Sequence, residues 1–229
     1  MINGIAAVIL GYLLGSIPTA YMVARVVRGE DIRRVGGGNV GGLNTFREVG
    51  FIPFVIVALV DVSKGVAAVA IAQWALDVTE PFLLLTALAA VTGHNWMVFL
   101  KFSGGKGMAP AVGALFILFP LYDYSLGLAF FFGIILIPYV ITRNVALSLS
   151  CGLVALPFIG WLGVQSMPFT IFTIALGLII LVKFLPTARL AWARAENKRD
   201  FIFDRWQRER DRERKTAGRP SSQRGRKTL

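Results

Sequence analysis

Two glycine-rich segments carry the residues best suited to chemistry. The first, GEDIRRVGGGNVGGLNTFR, runs from Gly29 to Arg47, and the second, GHNWMVFLKFSGGKGMA, from Gly93 to Ala109. Both set glycines beside arginine, lysine and asparagine. Without a Cβ, the backbone N–H groups of glycine can approach an anion closely, and successive N–H groups form a positive concavity. In the first segment Arg33 and Arg34 precede Gly36, Gly37, Gly38, Asn39, Gly41, Gly42 and Asn44. A guanidinium offers phosphate oxygens a planar fork of donors. The asparagines add neutral donors or hold the loop's shape. In the second segment Gly104, Gly105, Lys106 and Gly107 open an apolar stretch. A helix that starts there presents unpaired N–H groups and a partial positive charge, and Lys106 adds a full one. Neither Ser nor Thr follows Lys106, so the segment is not a nucleotide-triphosphate loop. The competing readings are a flexible linker with topological arginines and a snorkelling interfacial lysine.

Three further polar groups stand out. Asp61 and Lys64 lie three apart inside an apolar stretch and so share a helix face. Two readings stay open: the charges neutralise each other, or Lys64 faces the anion while Asp61 orients it. His94 is the only histidine of the chain. It is either a hydrogen-bonded core residue or a proton-transfer group. Metal binding is not expected, since neither a second histidine nor a cysteine cluster accompanies it. Trp96, Phe99 and Phe102 read as packing residues. The run Gly15-Ser16-Ile17-Pro18-Thr19 interrupts the first apolar stretch, because proline lacks an N–H and frees a carbonyl.

The elements that position these groups are those of a membrane protein. Hydrophobic residues form 55% of the 229-residue chain and charged residues 16%, which excludes a water-exposed globule for most of it. Seven apolar stretches run roughly Ile5–Val27, Phe51–Leu76, Pro81–Phe102, Lys106–Tyr122, Tyr124–Thr142, Val145–Gly163 and Pro168–Leu185. Most approach the ~20 residues of a spanning helix. They lack period-2 alternation, which favours helices over barrel strands. The expectation is an all-α integral membrane protein of about seven transmembrane helices, some short or broken. Basic residues fall in alternate connections: Arg28, Arg33, Arg34 and Arg47 in the first, Lys101 and Lys106 in the third, Arg143 in the fifth. The positive-inside rule then puts the N-terminus outside and the C-terminus in the cytoplasm, with both glycine segments on the cytoplasmic side. The N-terminus lacks a basic n-region and reads as a retained helix. Residues 1–188 form the membrane domain. Residues 189–229 hold 14 basic and 6 acidic residues and form a basic cytoplasmic tail, partly helical and then disordered. Its natural contact is anionic lipid, and no nucleic-acid partner is expected.

In order, GSIPTAYMVAR, DIRRVGGGNVGGLN, DVSKG and GHNWMVFLKFSGGKG resemble the signature segments of the bacterial membrane glycerol-3-phosphate acyltransferases that use acyl phosphate, the PlsY family. The resemblance covers most of the chain. It implies acyl transfer from acyl phosphate to the 1-hydroxyl of glycerol 3-phosphate, in a multi-pass protein of a bacterial cell membrane, without metal or other cofactor. On this reading Lys106, His94 and Arg33 are the candidate catalytic groups. Gly36, Gly37, Gly38, Asn39, Gly41, Asn44, Lys64, Gly104, Gly105 and Gly107 are the candidate substrate-binding residues. The chain departs from the family pattern at Gly37, where a serine is usual, at Gly42-Leu43 and at Ser103. It also departs at the end of the last helix, where Pro186-Thr187 stands about where the family carries a histidine and an asparagine. A transporter for a phosphate-type anion and a catalytically silent relative are the alternatives.

Overall fold

The computed structural model describes residues 1–194. Among them there is no β-strand, and the expected seven apolar stretches are all helical. The elements are α1 (Ile2–Gly15), α2 (Thr19–Arg28), α3 (Gly42–Glu48), α4 (Phe51–Ala70), α5 (Glu80–Asn95), α6 (Met108–Leu121), α7 (Leu126–Thr142), α8 (Val145–Phe158) and α9 (Met167–Arg194). Five helical spans are long and apolar enough to cross a membrane: Ile2–Arg28, Phe51–Ala75, Glu80–Leu100, Leu147–Val164 and Met167–Arg189. Met108–Leu121 and Leu126–Thr142 are shorter apolar helices. The first span breaks between α1 and α2 at Pro18, as its sequence anticipates. The compositional boundary at residue 188 falls within α9, which continues unbroken to Arg194. The rest of the tail lies outside the described residues.

Small residues set the helix spacing. In lipid no hydrophobic force draws helices together, so close backbone approach has to supply the attraction. Gly4, Ala7, Gly11 and Gly15 line the buried face of α1 against α5. A Cβ on Gly15 would enter the Ala90 carbonyl, and one on Gly93 the Tyr12 carbonyl. The α4–α6 crossing is reciprocal in the same way. A Cβ on Gly65 would strike the Pro110 carbonyl, and one on Gly113 the Val62 carbonyl. Thus α4, which carries Asp61 and Lys64, is held at backbone contact with α6, which Lys106 precedes by two residues.

Two apolar clusters fill the interior. One joins α5, α6, α7, α8 and α9 around Leu115, Phe119, Phe131, Leu156 and Phe169. The other packs Ala20, Ala24, Ile32, Val40, Val57 and Met97 beneath the two glycine segments. The opposite faces expose large apolar side chains such as Ile9, Leu59, Phe116, Ile137, Trp161 and Leu178. An exposed apolar surface this extensive belongs against lipid rather than water.

The crossing of α4 and α6 should be the less forgiving of two glycine sites. Overpacking costs ~1–3 kcal/mol, and ~1 kcal/mol moves the thermal midpoint of a chain this size by roughly 2–4 °C. Gly113→Ala should therefore lower the midpoint of the detergent-solubilised protein by several degrees. Gly133→Ala, with no atom within 4 Å of the added Cβ, should leave it nearly unchanged. Equal midpoints for the two variants would contradict the close packing.

Candidate active site

The first glycine segment is built from its own side chains. Asp31 caps a 3-10 turn at Ile32–Arg34 by accepting the Arg33 N–H at 3.1 Å. Its carboxylate also takes the Arg33 guanidinium in a forked pair, Nε–Oδ1 3.0 Å and Nη2–Oδ2 2.7 Å. That pairing holds the Asp31 carboxyl at a pKa of about 2, with the Arg33 hydrogen bond the largest cause. The guanidinium lies over the Tyr21 ring at 5.3 Å. About a third of the Arg33 side chain, 32%, stays exposed.

Asn44 holds the loop's shape. Its Oδ1 accepts the Gly37 N–H at 3.0 Å, and its Nδ2 donates to the carbonyls of Ile32 and Val35 at 3.2 Å each. Gly36 and Gly38 sit at φ 60° and 70°, left-handed backbone that favours glycine. The α3 helix starts at Gly42, and its Thr45 hydroxyl donates back to the Gly41 carbonyl at 3.1 Å. Gly36 and Gly37 are exposed, while Gly38 and Asn39 are half-buried.

The second segment folds back over the end of α5. The Gly105 N–H donates to the His94 carbonyl at 2.9 Å. Gly104 packs on the carbonyls of His94 and Asn95, and Gly107, at φ 75°, packs on the Asn95 carboxamide. Gly105 lies against the His94 ring on one side and the Val40 carbonyl on the other. The two glycine segments therefore meet at Val40 and Gly105. No side chain caps the start of α6, so its first N–H groups are open to an anion.

Lys106 projects from this turn, half-buried, with Nζ 4.3 Å from the centroid of the Phe184 ring on α9. Burial first, and the positive charge of Arg47 second, depress its pKa to about 8. Two cations from different elements thus share one region, Lys106 before α6 and Arg47 on α3. A third, Lys183 of α9, sits over the Trp96 ring at 4.9 Å.

Lys64 lies deeper. It is 3% exposed and donates to Asp61 Oδ1 at 2.5 Å and to the Ile17 carbonyl at 2.6 Å. His94 Nδ1 is 3.8 Å from the same Asp61 oxygen, beyond hydrogen-bond reach. Of the residues singled out in sequence, the structure brings together His94, Gly104, Gly105, Lys106 and Gly107, with the first segment joined through Val40. It places Lys64 in a buried ion pair with Asp61 and engages Arg33 with Asp31 and Tyr21. Sequence reasoning left Lys183 and Arg47 out of the site. Lys183 had a signal, as the one charge within the apolar stretch Pro168–Leu185. Arg47 was legible only as a topological charge. Among the described residues no cluster of His, Cys, Asp or Glu could hold a metal ion.

Fold and site together define a multi-pass helical membrane protein that presents a glycine-framed, cationic cradle at the ends of its helices. The glycerol-3-phosphate acyltransferase family model matches residues 5–192, and the chain belongs to that family of membrane acyltransferases. It is 44% identical over 202 residues to glycerol-3-phosphate acyltransferase 1 of Dehalococcoides mccartyi, covering 88% of this chain and 97% of that one. It is 38% identical over 193 residues to glycerol-3-phosphate acyltransferase 2 of Moorella thermoacetica, covering 84% and 95%. The crystal structure of PlsY (YgiH), an integral membrane glycerol 3-phosphate acyltransferase, in its glycerol 3-phosphate form superposes with a TM-score of 0.74 at 30% identity, over 85% of this chain and 94% of that one. The lysophosphatidic acid form gives 0.72 at 28% identity over the same shares. The family resemblance and the all-helical membrane fold expected from sequence are both borne out.

The depressed pKa of Lys106 carries a pH signature. Its ammonium form dominates below about 8 and is lost as pH rises through that value. Because kcat/KM reports the free enzyme, kcat/KM for glycerol 3-phosphate should fall above pH ~8 if the ammonium binds phosphate. Lys106→Arg, which stays charged, should abolish that limb. A parental profile flat to pH 10, or a limb that survives Lys106→Arg, would contradict the assignment.

Proposed function

We propose that this protein transfers a fatty acyl group from acyl phosphate to the 1-hydroxyl of glycerol 3-phosphate, yielding lysophosphatidate and inorganic phosphate for phospholipid biosynthesis. The carrying observation is the junction of the two glycine segments at Val40 and Gly105, with Lys106 beside it at the uncapped start of α6. The reaction brings two phosphate groups together, one on each substrate, and a site for it has to offset their repulsion. Lys106, the uncapped N–H groups at the start of α6 and Arg47 supply positive charge from both sides, and Lys183 adds a third cation. Arg33 presents its remaining N–H groups at the edge of the first segment.

Acyl phosphate is already activated, so no nucleophilic side chain is required. The hydroxyl oxygen attacks the acyl carbon, the bond from that carbon to the phosphate oxygen breaks, and the hydroxyl proton passes to a phosphate oxygen. The chain's part is to hold the reacting groups in contact and to aim donors at the developing oxyanion. His94 acts through Gly105, whose N–H its carbonyl accepts. Asn44 acts by shaping the first segment. We place the N-terminus outside and both glycine segments and the tail at the cytoplasmic face, following the distribution of basic residues. Residues 1–188 form the catalytic body in this reading, and the basic tail contacts anionic lipid head groups. Membership of an acyltransferase family favours this reading over a transporter.

Purified protein supplied with palmitoyl phosphate and glycerol 3-phosphate should release lysophosphatidate and phosphate in equal amounts. Lys106→Ala opens no core cavity and should fold, yet lower transfer about a hundredfold, since a preorganised electrostatic donor is worth ~10²–10³ in rate. Lys101→Ala, an exposed lysine outside the glycine run, should remain near parental. Folded variants that both keep parental transfer would remove Gly104–Gly107 from the site.

A further inference from the structure

We infer that the buried Asp61–Lys64 pair is a positioning device that sets the second glycine segment, and through it Lys106; the inference rests on the acyltransferase reading above. Mutual neutralisation alone would need only the two side chains, one turn apart on α4. The structure ties them to more. Lys64 Nζ also donates, at 2.6 Å, to the carbonyl of Ile17, at the break between α1 and α2. Asp61 Oδ1 faces His94 Nδ1 at 3.8 Å, and that buried nitrogen has no hydrogen-bond partner. The main chain of His94 accepts the Gly105 N–H at 2.9 Å, and its ring fills the space a Cβ at position 105 would take. On the adjoining α4 position, Gly65 touches the Pro110 carbonyl in the first turn of α6.

Lys106 therefore stands between two outputs of the same stretch of α4. One runs from Asp61 through His94 to Gly105. The other runs from Gly65 to the start of α6. Asp61 and Lys64 are each 3% exposed at the side chain, so neither reaches an aqueous ligand directly. A buried ion pair can often be exchanged for apolar residues of similar volume without loss of stability, whereas removing one partner is strongly destabilising. A chain that needed only stability at this place would be served as well by apolar residues. The pair instead ties the broken first span to α4 through the Ile17 carbonyl and sets the Asp61 carboxylate against the His94 ring of α5, beneath the glycine turn.

The test replaces both partners together. Asp61→Leu with Lys64→Met should fold, with a thermal midpoint close to the parent's. Its KM for glycerol 3-phosphate should rise about tenfold, because Lys106 is displaced. A mere loss of folded protein would lower kcat at unchanged KM. In a Lys106→Ala background the same double replacement should add less than about threefold, the non-additivity expected of groups acting through one another. Parental KM in the folded double variant, or full additivity with Lys106→Ala, would overturn the inference. Where the double replacement does not fold, His94→Gln keeps the backbone link but removes the ring. It should raise KM likewise, and a parental KM there would equally overturn it. A parent that transfers no acyl group at all would count against the functional reading rather than against the role of the pair.

Discussion

Gly105 occupies a position where no side chain fits. The His94 ring lies on one side of it and the Val40 carbonyl on the other, and its N–H is spent on the His94 carbonyl. This one close approach brings the two glycine segments together, and most of the remaining architecture can be read as what permits it. For the second segment to fold over the end of α5, α5 has to be fixed in height and rotation. The small-residue face of α1 does this, with help from Tyr12, whose hydroxyl donates to the Trp96 carbonyl at 2.7 Å just past the helix end. For the first segment to meet it, the loop has to hold a defined shape, and the Asn44 carboxamide supplies that with three hydrogen bonds.

The electrostatics follow a division between pairs and open charges. Asp31 offsets Arg33, and Asp61 offsets Lys64. Lys106 and Lys183 instead rest on the faces of Phe184 and Trp96. An aromatic face attracts an ammonium group by about 0.5–2 kcal/mol, enough to park it and too little to compete with a doubly charged phosphate. Such a lysine stays available to an incoming anion, whereas a carboxylate-paired lysine at the same place would have to be pulled from its partner. The depressed pKa of Lys106 fits that arrangement, since burial and Arg47 both disfavour its charge until an anion arrives.

Much of the fold was legible because membrane physics leaves few choices. Each apolar stretch had to be helical, and Pro18 had to break the first. The need for glycine in the two segments was legible, and the fold gives its reasons: left-handed backbone at Gly36, Gly38 and Gly107, and contacts at Gly104 and Gly105 that leave no room for a Cβ. What the sequence could not show was which partner each polar group would choose. Asn44 could have faced a ligand or the loop, and only the folded loop shows its carboxamide spent on Gly37, Ile32 and Val35. Lys64 could have faced the anion, and the fold gives both of its hydrogen bonds to protein groups. The α3 helix hid within the first loop, as seven residues with a glycine at its start carry too little periodicity to declare themselves. Lys183 was visible as an isolated charge, but its place beside the site depends on the packing of α9 against the α5 end, which no local pattern encodes.

The central claim is that the junction of the two glycine segments is a phosphate site. An experimental structure of the purified protein with glycerol 3-phosphate tests it most directly. The account predicts the phosphate within hydrogen-bond reach of Lys106 Nζ and of backbone N–H groups at the start of α6, with Lys106 moved off the Phe184 ring. A phosphate bound instead on the Tyr21, Arg25 and Arg33 side of the first segment, with Lys106 still seated on Phe184, would contradict it.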